Sequence, residues 1–317
     1  MKIVYFGSGQ FGIECLIALE KSSYKPALIV TQTPQPAGRG RKPQPTPVAR
    51  WADVHSVPFI ETDNVNTPQM FEEIAGYEPQ LIVVIAFGQK VGRELINLPP
   101  KGIINVHASL LPKYRGAAPI NWPIINGDSQ TGITIISLVE KMDAGPICAQ
   151  EKTEILPDET AGQLHDRLAA MAAPLLLKTL DKIADGSIVY TEQDHSRATL
   201  APKLKKTDGF LGFNEPAELL RRKILGLWPW PGACALYVSK ETNKSHRVII
   251  AAASIVKAPK TANIQPGTLD EDLNIVCGEN ALKITKVKPA GGRLMDFKDF
   301  VNGWKTLPGD MFTKIET

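Results

Sequence analysis

The stretch GIINVHASLLPKYRGAAP, residues 102–119, carries an amide and an imidazole two positions apart, Asn105 and His107. In an extended chain such positions share a face and lie roughly 7 Å apart, so both side chains reach one space. Further on, KMDAGPI (141–147) sets Asp143 in a turn before Ala144, Gly145 and Pro146. An Asn, a His and an Asp with no Ser or Cys nucleophile among them suit direct transfer of a group between two bound molecules. The amide donates to an oxyanion, the imidazole moves a proton, and the carboxylate holds and tunes the imidazole. Each residue alone reads as an ordinary hydrogen-bonder. The order N-x-H, then a loop, then D-A-G-P, is far more restrictive.

Groups of this kind gather beyond the carboxyl ends of strands in an open parallel sheet. The first half of the chain supplies such a sheet. KIVYF (2–6), ALIVTQ (27–32), LIVVIAF (81–87) and IINVH (103–107) read as buried strands, separated by helical stretches near 11–21, 67–76, 89–97 and 117–126. Asn126-Gly127 marks a turn, and TGITIISLV (131–139) reads as another strand. The longest helix is expected over 160–184, opened by a Thr160/Gln163 capping box, kinked at Pro174 and closed at Asp185-Gly186.

GSGQFG (7–12) follows the first strand and matches G-x-G-x-x-G. A dinucleotide site also needs an acidic residue closing the second strand, where it would hold a ribose hydroxyl. That strand ends in Thr31 and Gln32 instead. The glycines therefore predict a tight turn with close helix–strand packing, and NAD is not expected. The four cysteines, Cys15, Cys148, Cys234 and Cys277, are scattered without metal-ligand spacing, so no metal is expected and a reduced cytoplasmic setting fits. No apolar run is long enough to span a bilayer, and Met1 leads within a few residues into a strand, so neither membrane nor signal segment is expected.

Composition changes over 186–206, where no apolar period is sustained, and short strand-like runs follow a helix near 215–226. ACALYV, RVIIAAASIV, LNIVC and LKITKVK suggest a small β-barrel or sandwich. Trp228 and Trp230 read as core packing rather than as a stacking platform. Charge is asymmetric: residues 1–200 carry 18 Lys and Arg against 21 Asp and Glu, whereas 201–317 carry 18 against 12. A basic C-terminal third suits a polyanionic partner, though a solvated face gives the same asymmetry. A second basic feature lies in TQTPQPAGRGRKPQPTPVARWA (31–52), where Arg39, Arg41 and Lys42 sit on a Gly/Pro-rich frame. Strand-to-helix connections normally take about two to six residues. A longer basic loop there suits gripping the phosphates of a nucleic acid.

NVHASLLPKYRGAAPINWPIINGD, with TGITI and MDAGPI, resembles the folate-dependent formyltransferases over roughly residues 1–185. The resemblance implies that Asn105, His107 and Asp143 are the catalytic trio and that 10-formyltetrahydrofolate is the donor. It implies that Ser109, Leu110, Leu111 and Pro112 lie beside the folate, with Phe87 and Gly88 lining its pterin pocket. Acceptors in the family are a glycinamide ribotide, a nucleotide-linked amino sugar, or methionine on initiator tRNA. The PAGRG loop matches the branch acting on methionyl-tRNA, as do KLKK (203–206), LLRRK (219–223), WPWPGA (228–233) and VKPAGGRLM (287–295). Initiator methionyl-tRNA is thus the expected partner, gripped by Arg39, Arg41, Lys42, Lys203, Lys205 and Lys206. The implied fold is α/β: a Rossmann-like, mostly parallel sheet over 1–189, a linker at 190–206, and a C-terminal OB-like β-barrel over 207–317. A cytoplasmic monomer is expected.

Overall fold

The computed structural model describes residues 1–37, 40, 42–258 and 264–316. It divides into two compact units, Met1–Pro119 with Gln130–Glu154 and His165–Pro202, and Ile120–Ser129 with Ile155–Leu164 and Lys203–Thr317.

A seven-stranded sheet organises the first unit. Its order is Ile147–Glu154, Gln130–Ser137, Ile103–His107, Leu81–Ile85, Ile3–Gly7, Pro26–Thr31 and Phe59–Glu61. The last five run parallel, Gln130–Ser137 pairs antiparallel to Ile103–His107, and Ile147–Glu154 pairs antiparallel to Gln130–Ser137, a Rossmann-like arrangement. Ile3–Gly7 and Leu81–Ile85 are buried at every position. Both faces of a parallel sheet are covered by helices, so such strands read as unbroken apolar runs.

Three helices begin where a threonine side chain satisfies one of their first amides. Thr46 accepts from the Ala49 amide at 2.9 Å ahead of Pro47–Val54, and Thr67 from Met70 at 3.3 Å ahead of Pro68–Gly76. The Thr160/Gln163 box forms in both directions, at 3.0 and 3.3 Å, and opens Ala161–Asp185, which runs unbroken through Pro174. In GSGQFG, a Cβ on Gly12 would collide with the Tyr5 hydroxyl, and one on Gly7 would lie 2.8 Å from the Ile85 carbonyl. The glycines serve close packing of turn, strand and helix.

Several elements differ from the sequence expectation. Within the long connection, Gln35–Ala37 pairs with Lys42–Gln44 as a short hairpin, and the helix Pro47–Val54 opens before residue 52. The strands Phe59–Glu61 and Ile147–Glu154 are largely exposed edges, so neither shows a sustained apolar pattern. The expected linker is not a free connection up to Pro202. Thr191 bridges Ile147, and the Ala201 carbonyl accepts the amides of Ala117 at 2.9 Å and Ala118 at 3.2 Å. Backbone bonding, rather than an apolar period, holds this segment to the first unit. Conversely, the helix Asn121–Asn126 groups with the second unit, where Asn121 Nδ2 donates to the Gly226 carbonyl at 2.8 Å. By contact grouping the chain crosses between the two units more than once, which a single boundary in sequence does not express.

In the second unit an antiparallel sheet runs Ile275–Val276, Ala281–Pro289, Ser245–Val256, Ala233–Val238 and Met311–Thr313. Single bridges Thr268–Met311 and Leu269–Ile275 join its ends into a nearly closed barrel. The helices Ala217–Leu227 and Phe297–Trp304 pack on it. Tyr237 lies 5.2 Å from Phe300 and 5.4 Å from Phe312, ring to ring. Trp230 is 53% exposed and Trp228 half-buried, so the tryptophan pair is not core packing. The prolines between and after the rings keep the segment from joining a regular element that would bury it.

Candidate active site

Asn105 and His107 close the strand Ile103–His107, and Asn105 pairs with Val84, two residues before Ala86. His107 is buried, and its Nε2 lies 2.9 Å from the Tyr114 carbonyl. A carbonyl only accepts, so Nε2 keeps a hydrogen and Nδ1 is the nitrogen left to gain or lose one. Nδ1 faces Asp143 Oδ2 at 3.7 Å. The contact that orients the ring thus comes from Tyr114, while Asp143 supplies a nearby negative charge.

Asp143 is held by its own carboxylate. Oδ2 accepts from the Gly116 amide at 2.8 Å, and Oδ1 lies 3.5 Å from Asn105 Nδ2. Its backbone sits at φ 49°, a left-handed conformation that costs a non-glycine residue about 1–2 kcal/mol. Gly116 has φ 126°, and a Cβ there would lie 2.6 Å from the Ala201 carbonyl, so only glycine brings this amide to Asp143. The structure therefore brings Asn105, His107 and Asp143 together, from one strand and one turn. Cys148 supplies no alternative nucleophile: burial pushes its thiol up to about 12, which keeps it protonated.

The segment Ser109–Pro112 is braced from below. Ser109 is fully buried and its hydroxyl donates to the Lys113 carbonyl at 2.7 Å. Thr134 Oγ1 donates to the Ser109 carbonyl at 2.6 Å and accepts from the Leu111 amide at 3.1 Å. Gln150 Nε2 adds a bond to the Leu111 carbonyl at 3.0 Å. Leu111 is buried, whereas Leu110 and Pro112 are half-buried. Phe87 and Gly88 lie elsewhere, in the wall of a crevice of about 430 Å³ with Ser8, Gln32, Thr46 and Arg50. The crevice opens between the ends of Ile3–Gly7 and Leu81–Ile85, where the strand order reverses direction, the place where open sheets bind ligands. Phe87 is anchored by Phe6 at a ring distance of 5.2 Å.

Of the expected basic contacts, Lys42, Lys203, Lys205 and Lys206 are exposed, and Leu204 is buried between the last three. Arg39 and Arg41 lie outside the described residues. Four groups around the trio had no sequence signal of their own: the Tyr114 carbonyl, the Gly116 amide, and the side chains of Arg115 and Gln193. Arg115 and Gly116 do stand in the same motif as Asn105, and their nearness was the one available hint.

Comparison with known proteins agrees with this architecture. A formyl transferase family model matches residues 1–180, and a model for the formyl transferase C-terminal domain matches 203–305. A methionyl-tRNA formyltransferase of Citrifermentans bemidjiense is 37% identical over 314 residues, covering 99% of this chain and 97% of the relative. One from Trichlorobacter lovleyi is 38% identical over 315 residues, covering 99% and 98%. Among solved structures, WlaRD, a sugar 3N-formyl transferase, superposes with a TM-score of 0.64 at 14% identity, covering 100% of this chain and 98% of that one. HypX from Aquifex aeolicus in complex with tetrahydrofolic acid gives 0.62 at 16% identity, covering 100% and 51%. These two likenesses establish the fold.

Proposed function

Because the chain belongs to the methionyl-tRNA formyltransferase family, we propose that it moves the formyl group of 10-formyltetrahydrofolate to the α-amino group of methionine on initiator tRNA. The observation that carries the chemistry is the meeting of Asn105, His107 and Asp143 at one strand end, at 3.5 Å and 3.7 Å.

The folate supplies a formyl carbon already attached to a nitrogen that can leave. As the carbon–nitrogen bond to the acceptor forms and the bond to the donor breaks, negative charge develops on the formyl oxygen. Asn105 Nδ2 carries two hydrogens; one faces Asp143 Oδ1 and the other is available to that oxygen. The attacking amine must lose a proton and the leaving nitrogen must gain one. His107 Nδ1 takes the first and returns it to the second, because Nε2 is committed to the Tyr114 carbonyl. Asp143 offsets the imidazolium charge while the proton is held there. The crevice, of about 430 Å³, is within the size range of small-ligand pockets, and exposed Gly88 presents backbone to it while the Phe87 ring is packed beneath on Phe6.

The acceptor is gripped through phosphates by Lys42, Lys203, Lys205 and Lys206, together with Arg39 and Arg41. The trio comes from a single unit of a single chain, which supports a monomer as the working form, and an acceptor used in translation supports a cytoplasmic setting. The deciding experiment offers labelled formyl donor with charged initiator tRNA, an amino-sugar nucleotide and glycinamide ribotide in parallel. Transfer to the tRNA alone is expected; preferential transfer to either small acceptor overturns the assignment.

A further inference from the structure

We propose that Gln193 is a positioning residue for this reaction, setting the Asp143 carboxylate through the backbone of its turn, with Arg115 fixing the orientation of the Gln193 amide. The inference rests on the transfer reaction proposed above.

Gln193 lies in the stretch that composition marks as a linker, yet it is buried. Its Nε2 donates to the Asp143 carbonyl at 2.9 Å and to the Gly145 carbonyl at 2.7 Å. A primary amide nitrogen has two hydrogens, so both are spent on the two carbonyls flanking Ala144. The Gln193 Oε1 accepts from Arg115 Nη2 at 2.6 Å. A guanidinium only donates, so exchanging the amide oxygen and nitrogen would set an NH₂ against the guanidinium and an oxygen against two carbonyls. The orientation is therefore determined by chemistry. Arg115 is itself buried, and the same Nη2 lies 2.8 Å from His195 Nδ1, which accepts from it.

This clamp acts where the backbone is strained. Asp143 holds φ 49°, a conformation that persists only when its surroundings enforce it. On the opposite side Gly145 packs so closely on the Ser137 carbonyl that a Cβ would collide with it. The turn is thus gripped between the sheet and one amide. Releasing the amide lets Asp143 relax to negative φ, which swings Oδ2 away from the Gly116 amide and from His107. Gln193 touches none of the three groups assigned to the chemistry; its effect runs through the Asp143 main chain.

The test measures kcat and KM for formyl donor and charged initiator tRNA, with thermal midpoints, in wild type, Gln193→Met, Gln193→Glu, Asp143→Asn and the Gln193→Met/Asp143→Asn double variant. Gln193→Met removes both links. Gln193→Glu keeps an acceptor for Arg115 but turns an anionic oxygen on the two carbonyls, so it should not rescue. Both should lower kcat about tenfold, the scale of a sub-ångström misplacement, with KM for either substrate within about twofold. In the Asp143→Asn background, Gln193→Met should cost little more, since the group it positions is already gone. Wild-type kcat in either folded variant overturns the proposal, as does an undiminished loss in the Asp143→Asn background. Failure of both variants to fold would make Gln193 a residue of the fold alone and also overturn it. An inactive wild type removes the transfer reaction itself, whereas an active wild type with active variants removes only the role of Gln193.

Discussion

The turn at Asp143 and the core of the barrel are built on opposite plans. At Asp143 a strained backbone and a carboxylate are held by directed bonds from Gly116, Asn105 and Gln193. In the barrel, Tyr237, Phe300, Phe312 and Trp304 fill space by ring contact, and the polar work is limited to buried anchors such as Tyr237 donating to Asp310 at 2.6 Å. Directed bonds set positions to fractions of an ångström while adding modestly to stability. Apolar contact adds stability in proportion to area and tolerates small shifts. Damage to the first region should appear in rate, and damage to the second in folding.

Phe300→Ala gives the largest expected effect. Phe300 is fully buried, 4.5 Å from Trp304 and 5.2 Å from Tyr237 by ring centre, and its truncation should cost about 3–5 kcal/mol in denaturant unfolding. Turnover per folded molecule should not change; a lowered kcat in the folded fraction would erase the contrast. Asn105→Ala reverses the pattern. Loss of an oxyanion donor should lower kcat about a hundred- to a thousandfold, with tRNA affinity nearly intact. Equal loss of binding and rate would make Asn105 a part of the fold.

A third plan is long-range charge, which neither region uses. Replacing Lys203, Lys205 and Lys206 by Ala should weaken tRNA binding and flatten its log–log salt dependence by up to about one unit per lost phosphate contact. An unchanged slope would remove these lysines from the interface. Adding Arg39, Arg41 and Lys42 to the set should deepen the effect.

The smallest expected effect concerns buried thiols, one in each unit. Burial pushes Cys15 in the first unit and Cys277 in the second up to about 12. An unfolded thiol ionises near 8.5, roughly, so the unfolded chain releases protons that the folded chain keeps. Stability is then insensitive to these groups below about pH 8.5 and falls as pH climbs from there toward the folded value. Denaturant midpoints between pH 8 and 11 should decline less steeply in Cys277→Ala than in wild type; parallel curves would show that the thiol carries no alkaline linkage.

Much of the sheet could be read directly because its strands are buried on both faces, and an unbroken apolar run such as LIVVI needs no partner to be noticed. The capping box at Thr160 was legible for a similar reason, since both members lie within one turn. Edge strands, the helix Pro47–Val54 and the exposure of Trp230 were not legible. Each depends on what another segment covers or leaves open.

The sequence by itself determined the letters Asn105, His107 and Asp143, their spacing along one strand and one turn, and the alternation of strand and helix that sets them at a sheet end. These follow from local periodicity and from side-chain chemistry, which the chain carries wherever it goes. Only the tertiary structure decided which nitrogen of His107 is left free, that Gln193 returns from a supposed linker to clamp Asp143, and that residues 120–129 join the second unit. The last two outcomes rest on hydrogen bonds between residues far apart in the chain, and the first on a carbonyl seven residues on that only the folded loop brings back to the ring. Such bonds form only once burial has removed water as the competing partner, and no local pattern encodes them.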